Sequence, residues 1–111
     1  MTEASYPYVG KRNTCSYNST LVGVRIKIIN GFTDIMRALF SGPASVLVQA
    51  DSAFMHYNSG IFNGVCGKPD HAVIAVGWGI SDGLNFLIIR NSWGANWGER
   101  GYIRVLMDGN C

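Results

Sequence analysis

The stretch that most constrains this chain is residues 70–107, DHAVIAVGWGISDGLNFLIIRNSWGANWGERGYIRVLM. Its apolar runs, bounded by Gly and Asn/Asp turn signals, predict three β-strands at roughly 71–77, 85–90 and 101–107. His71 opens the first of these and Asn91 closes the second. Antiparallel pairing through Gly79-Ile-Ser-Asp-Gly83 returns the chain to where it began, so the two residues are expected to share one sheet edge. A histidine beside an asparagine is the base-and-orienter pair of a Cys-His-Asn site, in which the imidazole moves a proton and the amide fixes its ring.

Upstream, the pattern is weaker. Residues 1–20 are polar, with turn signals at Tyr-Pro, Val-Gly and Asn-Ser, and predict an extended surface segment. Val24-Arg-Ile-Lys-Ile28 alternates apolar and charged residues, the period of a half-exposed strand. Phe32, Ile35, Met36, Leu39 and Phe40 recur at helical spacing, predicting a short helix with Thr33 as its N-cap and Gly42-Pro43 as its stop. Residues 45–50 read as another strand, 52–57 as one helical turn ended by Asn58-Ser-Gly60, and 61–70 as a loop through Cys66 and Pro69. No internal repeat, linker or low-complexity tract interrupts this order. Five strand candidates with one or two short helices predict an α+β fold, an antiparallel β-barrel-like half-domain.

Composition narrows the function classes. At 111 residues the chain makes at most one domain. It is 48% apolar and only 14% charged, so part of its surface is expected to be hidden against something else. A net charge of +2, with basic residues scattered along the chain, argues against nucleic acid. No run approaches the roughly eighteen apolar residues of a membrane span. No metal-ligand set is present and no cofactor is expected. The first residues, Met1-Thr-Glu-Ala-Ser-Tyr6, lack the basic and apolar regions of a signal peptide, so an intracellular setting is expected if Met1 is the true start.

The segments SGIFNGVCGKPDHAVIAVGWG and NFLIIRNSWGANWGERGYIRV resemble the second half of a papain-like cysteine protease, the group that includes the cathepsins. Ser5-Tyr-Pro-Tyr8, Asn13-Thr-Cys15 and Ser41-Gly-Pro-Ala-Ser-Val46 fit the same pattern. The resemblance covers nearly the whole chain and about half of the family's domain. It implies that 1–111 is the C-terminal, His/Asn-bearing half-domain, folded as the second half of the papain fold. It also implies a peptide or protein substrate and a lysosomal or secreted setting. Because the family normally adds a closing segment after the position of Cys111, an exposed edge and some exposed apolar surface are expected.

Residue roles follow from the same resemblance. His71 is the catalytic base and later the acid, with Asn91 accepting a hydrogen bond from its other ring nitrogen. Trp93 covers that bond and keeps water from it, and Trp97 forms part of the leaving-group side of the cleft; simple core packing is the alternative for both tryptophans. Leu47, Pro69 and Ala72 line the pocket for the side chain preceding the scissile residue, which implies a hydrophobic preference there. Ordinary packing is again the alternative, most of all for Leu47. Cys66 pairs with Cys111 in an oxidising environment, a link of roughly 3–4 kcal/mol by chain entropy, while Cys15 stays free. Three reduced thiols are the alternative in a reducing compartment.

The departure from the family lies in the nucleophile. That cysteine sits in a Cys-Gly-Ser-Cys-Trp-like stretch at a helix N-terminus, where dipole and backbone amides favour the thiolate. No such stretch occurs in these residues, and Cys15, in Asn-Thr-Cys-Ser-Tyr, has neither a helix start nor a neighbouring Trp. Two functions compete. One is half of a cysteine endopeptidase, active only when a protein partner or another segment supplies the nucleophile half. The other is a catalytically inactive papain-like module serving as a structural or docking subunit. A truncated product without independent function is a third reading.

Overall fold

The computed structural model describes residues 2–15, 20, 26–64 and 67–107. Among these, the chain forms α1 (Phe32–Leu39), β1 (Ala44–Val48), α2 (Ser52–Met55), β2 (Ile61–Phe62), β3 (His71–Ser81), β4 (Leu84–Arg90) and β5 (Tyr102–Leu106). The strands make one open sheet in the order β1-β3-β4-β5-β2. All neighbours are antiparallel except β2, which runs parallel to β5. The fold is thus mostly sheet with two short helices, as the sequence led us to expect, and the sheet does not close on itself among the described residues.

The central hairpin is set by its turn. Ser81 pairs with Leu84, leaving Asp82 and Gly83 as a two-residue connection with φ of 50° and 76°. Two successive left-handed residues form the turn that matches strand twist, and Asp-Gly is a favoured pair for it. β3 therefore runs four residues past its expected end at 77. Gly77 and Gly79, which resembled strand breakers, lie inside it; a side chain at Gly79 would meet the Phe86 ring of β4 at 2.6 Å. A bulge between Ala75 and Gly77 shifts the register.

The alternation of β3 to β5 buries Val73, Ala75, Leu87, Ile89 and Ile103 on one face, where they join Phe54 and Tyr57 as the core. Phe32, Ile35 and Leu39 of α1 pack against this face. The helix starts one residue earlier than its expected cap: Gly31, with φ of 81°, occupies the N-cap and Thr33 lies inside. In α2 the cap is chemical, with the Asp51 side chain accepting from the Phe54 N–H at 2.9 Å.

The expected strand at 24–28 falls partly outside the described residues; Ile26 and Ile28 are exposed and non-strand. The fifth strand is instead β2, two residues long, where a loop was expected. Its partners, Arg104 and Val105, lie 43 residues away in sequence, so no local pattern announces it.

Candidate active site

His71 is the first residue of β3, and Asn91 follows the last residue of β4. The two side chains meet: His71 Nε2 lies 2.9 Å from Asn91 Oδ1. The same oxygen accepts the backbone N–H of Ser92 at 2.8 Å, which fixes which end of the amide is the acceptor. Two donors thus converge on Oδ1, and His71 must carry its proton on Nε2. Nδ1 is left with its lone pair and has no partner among the described residues. Asn91 is 8% exposed, and its Nδ2 is buried without a hydrogen-bond partner among those residues.

The neighbours of the pair are aromatic. Trp93 stacks on the imidazole with centroids 4.9 Å apart and planes 22° from parallel. Phe54, fully buried, meets both rings edge-on, at 6.4 Å from His71 and 5.7 Å from Trp93. Trp97 packs edge-on against Trp93 and lies over Phe54 and Tyr57, while its indole N–H donates to the Met55 carbonyl at 3.0 Å. Half-buried and hydrogen-bonded, Trp97 acts as a tie between the loop after β4 and the end of α2.

Three features of this site had no clear sequence signal. Asp70 donates its N–H to the Val48 carbonyl at 3.0 Å and its carboxylate accepts from Ala50 N–H at 2.8 Å, pinning the entry to β3 against the exit from β1. Glu99 and Arg104 form a bidentate pair, with Nη2–Oε1 at 2.6 Å and Nε–Oε2 at 2.9 Å. Glu99 Oε1 also accepts the Gly60 N–H at 2.9 Å. The bonds from Arg104 hold the Glu99 carboxyl below the usual carboxylate range, and the carboxylate in turn raises Arg104. Burial pushes the Tyr57 hydroxyl up; it donates to the Gly60 carbonyl at 2.6 Å. A spacing of five residues fits neither helical nor strand period, so only the turn at 99–102 could bring Glu99 and Arg104 together.

The residues expected to read the substrate are only partly gathered. Leu47 and Ala72 are direct partners across β1 and β3, both exposed. Leu47 and Pro69 line a cavity of about 130 Å³ between α1 and the sheet, with Phe32, Ile35 and Phe54. Ala72 lines a separate pocket with Asn91 and Ser92, where β3 and β4 diverge. Cys66 and Cys111 lie outside the described residues. Cys15 is exposed and unpaired, and no sulfur is hydrogen-bonded to His71 among the described residues.

The model of the papain family cysteine proteases matches residues 1–111. Chymopapain of Carica papaya is 47% identical over 94% of this chain and 32% of its own length. The cysteine proteinase COT44 of Brassica napus is 46% identical over 94% of this chain and 34% of its own. Among solved structures, the bromelain protease of Ananas comosus, in complex with the E64 inhibitor, superposes with a TM-score of 0.68 at 40% identity, covering 96% of this chain and 53% of that one. The digestive procathepsin L2 proteinase of Tenebrio molitor gives 0.69 at 30% identity, covering 97% and 37%. The chain therefore spans about a third of the length of the curated relatives it matches.

Proposed function

The chain belongs to the papain family of cysteine proteases, and we propose that it is the base-bearing half of a peptide-hydrolysing site whose thiol comes from another segment or chain. The single observation behind this reading is the 2.9 Å bond from His71 Nε2 to Asn91 Oδ1 beneath Trp93. With Nε2–H donated to Asn91, Nδ1 is the atom free to take the thiol proton. The resulting imidazolium keeps its bond to Asn91, and the neutral amide suffices because the thiolate itself balances the imidazolium charge. The thiolate attacks the peptide carbonyl, Nδ1–H passes its proton to the departing amine as the C–N bond breaks, and a thioester remains. Water then gives a proton to Nδ1 as it attacks, and the C–S bond breaks to release the acid. Trp93 limits water around the His–Asn bond, which strengthens it in a lower local dielectric.

Leu47, Pro69 and Ala72 are the proposed wall for an apolar side chain of the substrate. The segment that supplies the thiol is also the proposed cover for the exposed apolar face around Leu47, Ile74 and Val76, which are 67%, 44% and 39% exposed. The second reading, an inactive docking module, is favoured by that same face.

The test is native mass determination under non-reducing conditions, on protein from its own source treated with a thiol-directed epoxide. A labelled segment bound to this chain supports the catalytic reading; an unlabelled chain in a larger complex supports docking. In a labelled assembly, His71→Ala should lower peptide cleavage by about a thousandfold. Unchanged cleavage would show that His71 is not the base.

A further inference from the structure

We propose that Glu99 is a positioning residue for the His71–Asn91 pair, holding the loop that carries Trp93 against the segment after α2. This rests on the catalytic reading above only for its effect on rate; its geometric content stands apart. The loop of residues 92–101 begins at Asn91 and carries Trp93 over the imidazole, yet Ser92, Trp93, Gly94, Ala95 and Asn96 are all exposed. Its backbone bonds are mostly internal: Trp97 N–H to Gly94 O, Gly101 N–H to Trp97 O, and Glu99 with Tyr102 in both directions. Something outside the loop must fix how far it sits from His71.

Beside the ring contact of Trp93 with Phe54, two side chains do so by hydrogen bonds, and both reach the same segment. Trp97 donates to the Met55 carbonyl, just beyond the buried Phe54 that meets both His71 and Trp93. Glu99 accepts the Gly60 N–H five residues further on, while Arg104 grips both of its oxygens from within β5. Tyr57 closes the turn between the two anchor points by donating to the Gly60 carbonyl, and its ring lies 5.6 Å from that of Trp97. The loop is so close here that a side chain at Gly98 would meet the Tyr57 ring at 3.0 Å. Two anchors on one segment leave the loop only the line between them to pivot about. Removing one leaves a hinge about the other, and Trp93 then swings relative to the imidazole. A carboxylate is needed because only it accepts three donors at once without bringing a donor of its own.

The experiment is carried out on the full 111-residue chain in the assembly in which it is isolated, with histidine isotopically labelled. The imidazole C–H protons of His71 should show the upfield ring-current shift expected beneath a stacked indole. Glu99→Gln should reduce that shift at least twofold and lower kcat by about tenfold with little change in KM, since misplacement near a reacting centre acts on the rate. Glu99→Asp, which keeps the charge, should recover part of both. Asp34→Asn, which removes the exposed pair with Arg37 on α1, should change neither. A Glu99→Gln chain that folds with the full ring-current shift overturns the proposal. Where Glu99→Gln fails to fold, the double variant Glu99→Gln with Arg104→Met removes the unpaired cation, and an unchanged shift there overturns it equally. If the shift moves as expected while no form of the assembly cleaves peptide, the catalytic reading fails and the positioning role stands; cleavage with an unmoved shift gives the reverse.

Discussion

The two faces of the sheet are built from the same residue types and end in opposite environments. Along β3, Val73 and Ala75 are 4% and 0% exposed, while their neighbours Ile74 and Val76 are 44% and 39% exposed. Both sets are apolar, and successive strand residues must face opposite ways. One face is closed by the chain's own α1, α2 and Tyr57; on the other, among the described residues, Ile74 and Val76 stay open while the Arg104 guanidinium, held by Glu99, closes a corner 5.6 Å over the Phe86 ring. Apolar character therefore shows that a residue wants cover but not which partner supplies it.

The sharpest division is expected between core and open face. Ile103→Ala should cost about 2–5 kcal/mol, because the side chain is fully buried within the core cluster. Ile74→Ala, on the open face, should cost less than about 1 kcal/mol in the same denaturant titration. Equal losses would mean that the chain itself covers both faces. The closed corner gives an intermediate effect: Gly79→Ala brings a methyl against Phe86, which is pinned beneath Arg104, and should cost about 1–3 kcal/mol by thermal melting.

The charge in that corner sets a smaller, pH-dependent effect. Glu99 has a folded value below its ordinary 4.5, so its stabilisation is complete above that pH and fades as pH falls through the lower folded value. Glu99→Gln should therefore be less stable than the parent at pH 7, with the gap narrowing as the pH falls below 4.5; a gap independent of pH would remove the carboxylate from the account. The side chain is about a third exposed, so the difference at pH 7 should stay near 1 kcal/mol or less. The smallest change concerns Arg100, whose φ of 56° lies in the left-handed region. Arg100→Gly should raise stability by about 0.5–1 kcal/mol, read as a rise in Tm.

Much of the central hairpin was legible in sequence. Periodicity located the cores of β3, β4 and β5, and the spacing of His71 and Asn91 about one hairpin put them at one sheet edge, as the 2.9 Å contact has them. Sequence pattern ends β3 at residue 77 because glycine weakens strands locally, whereas Gly79 sits inside the strand where the Phe86 ring occupies the space a side chain would need. Thr33 resembles a cap because of its hydroxyl, but Gly31 supplies the backbone turn two residues earlier. β2, the Asp70 tether and the Glu99–Arg104 pair were missed for one reason: each depends on a partner distant in sequence or on a turn with no period.

The sequence by itself determined the family, the strand cores and the identity of the histidine and asparagine, because these rest on residue type and short-range spacing. Only the tertiary structure decided which imidazole nitrogen faces the amide, which apolar face became the core, and how Trp93 is held above His71. Those depend on where separate segments come to rest: Ser92 N–H fixing Asn91 Oδ1, α1 covering one face rather than the other, and Met55 and Gly60 receiving the loop. Local pattern can propose such contacts, but it has no information about the distances that make them.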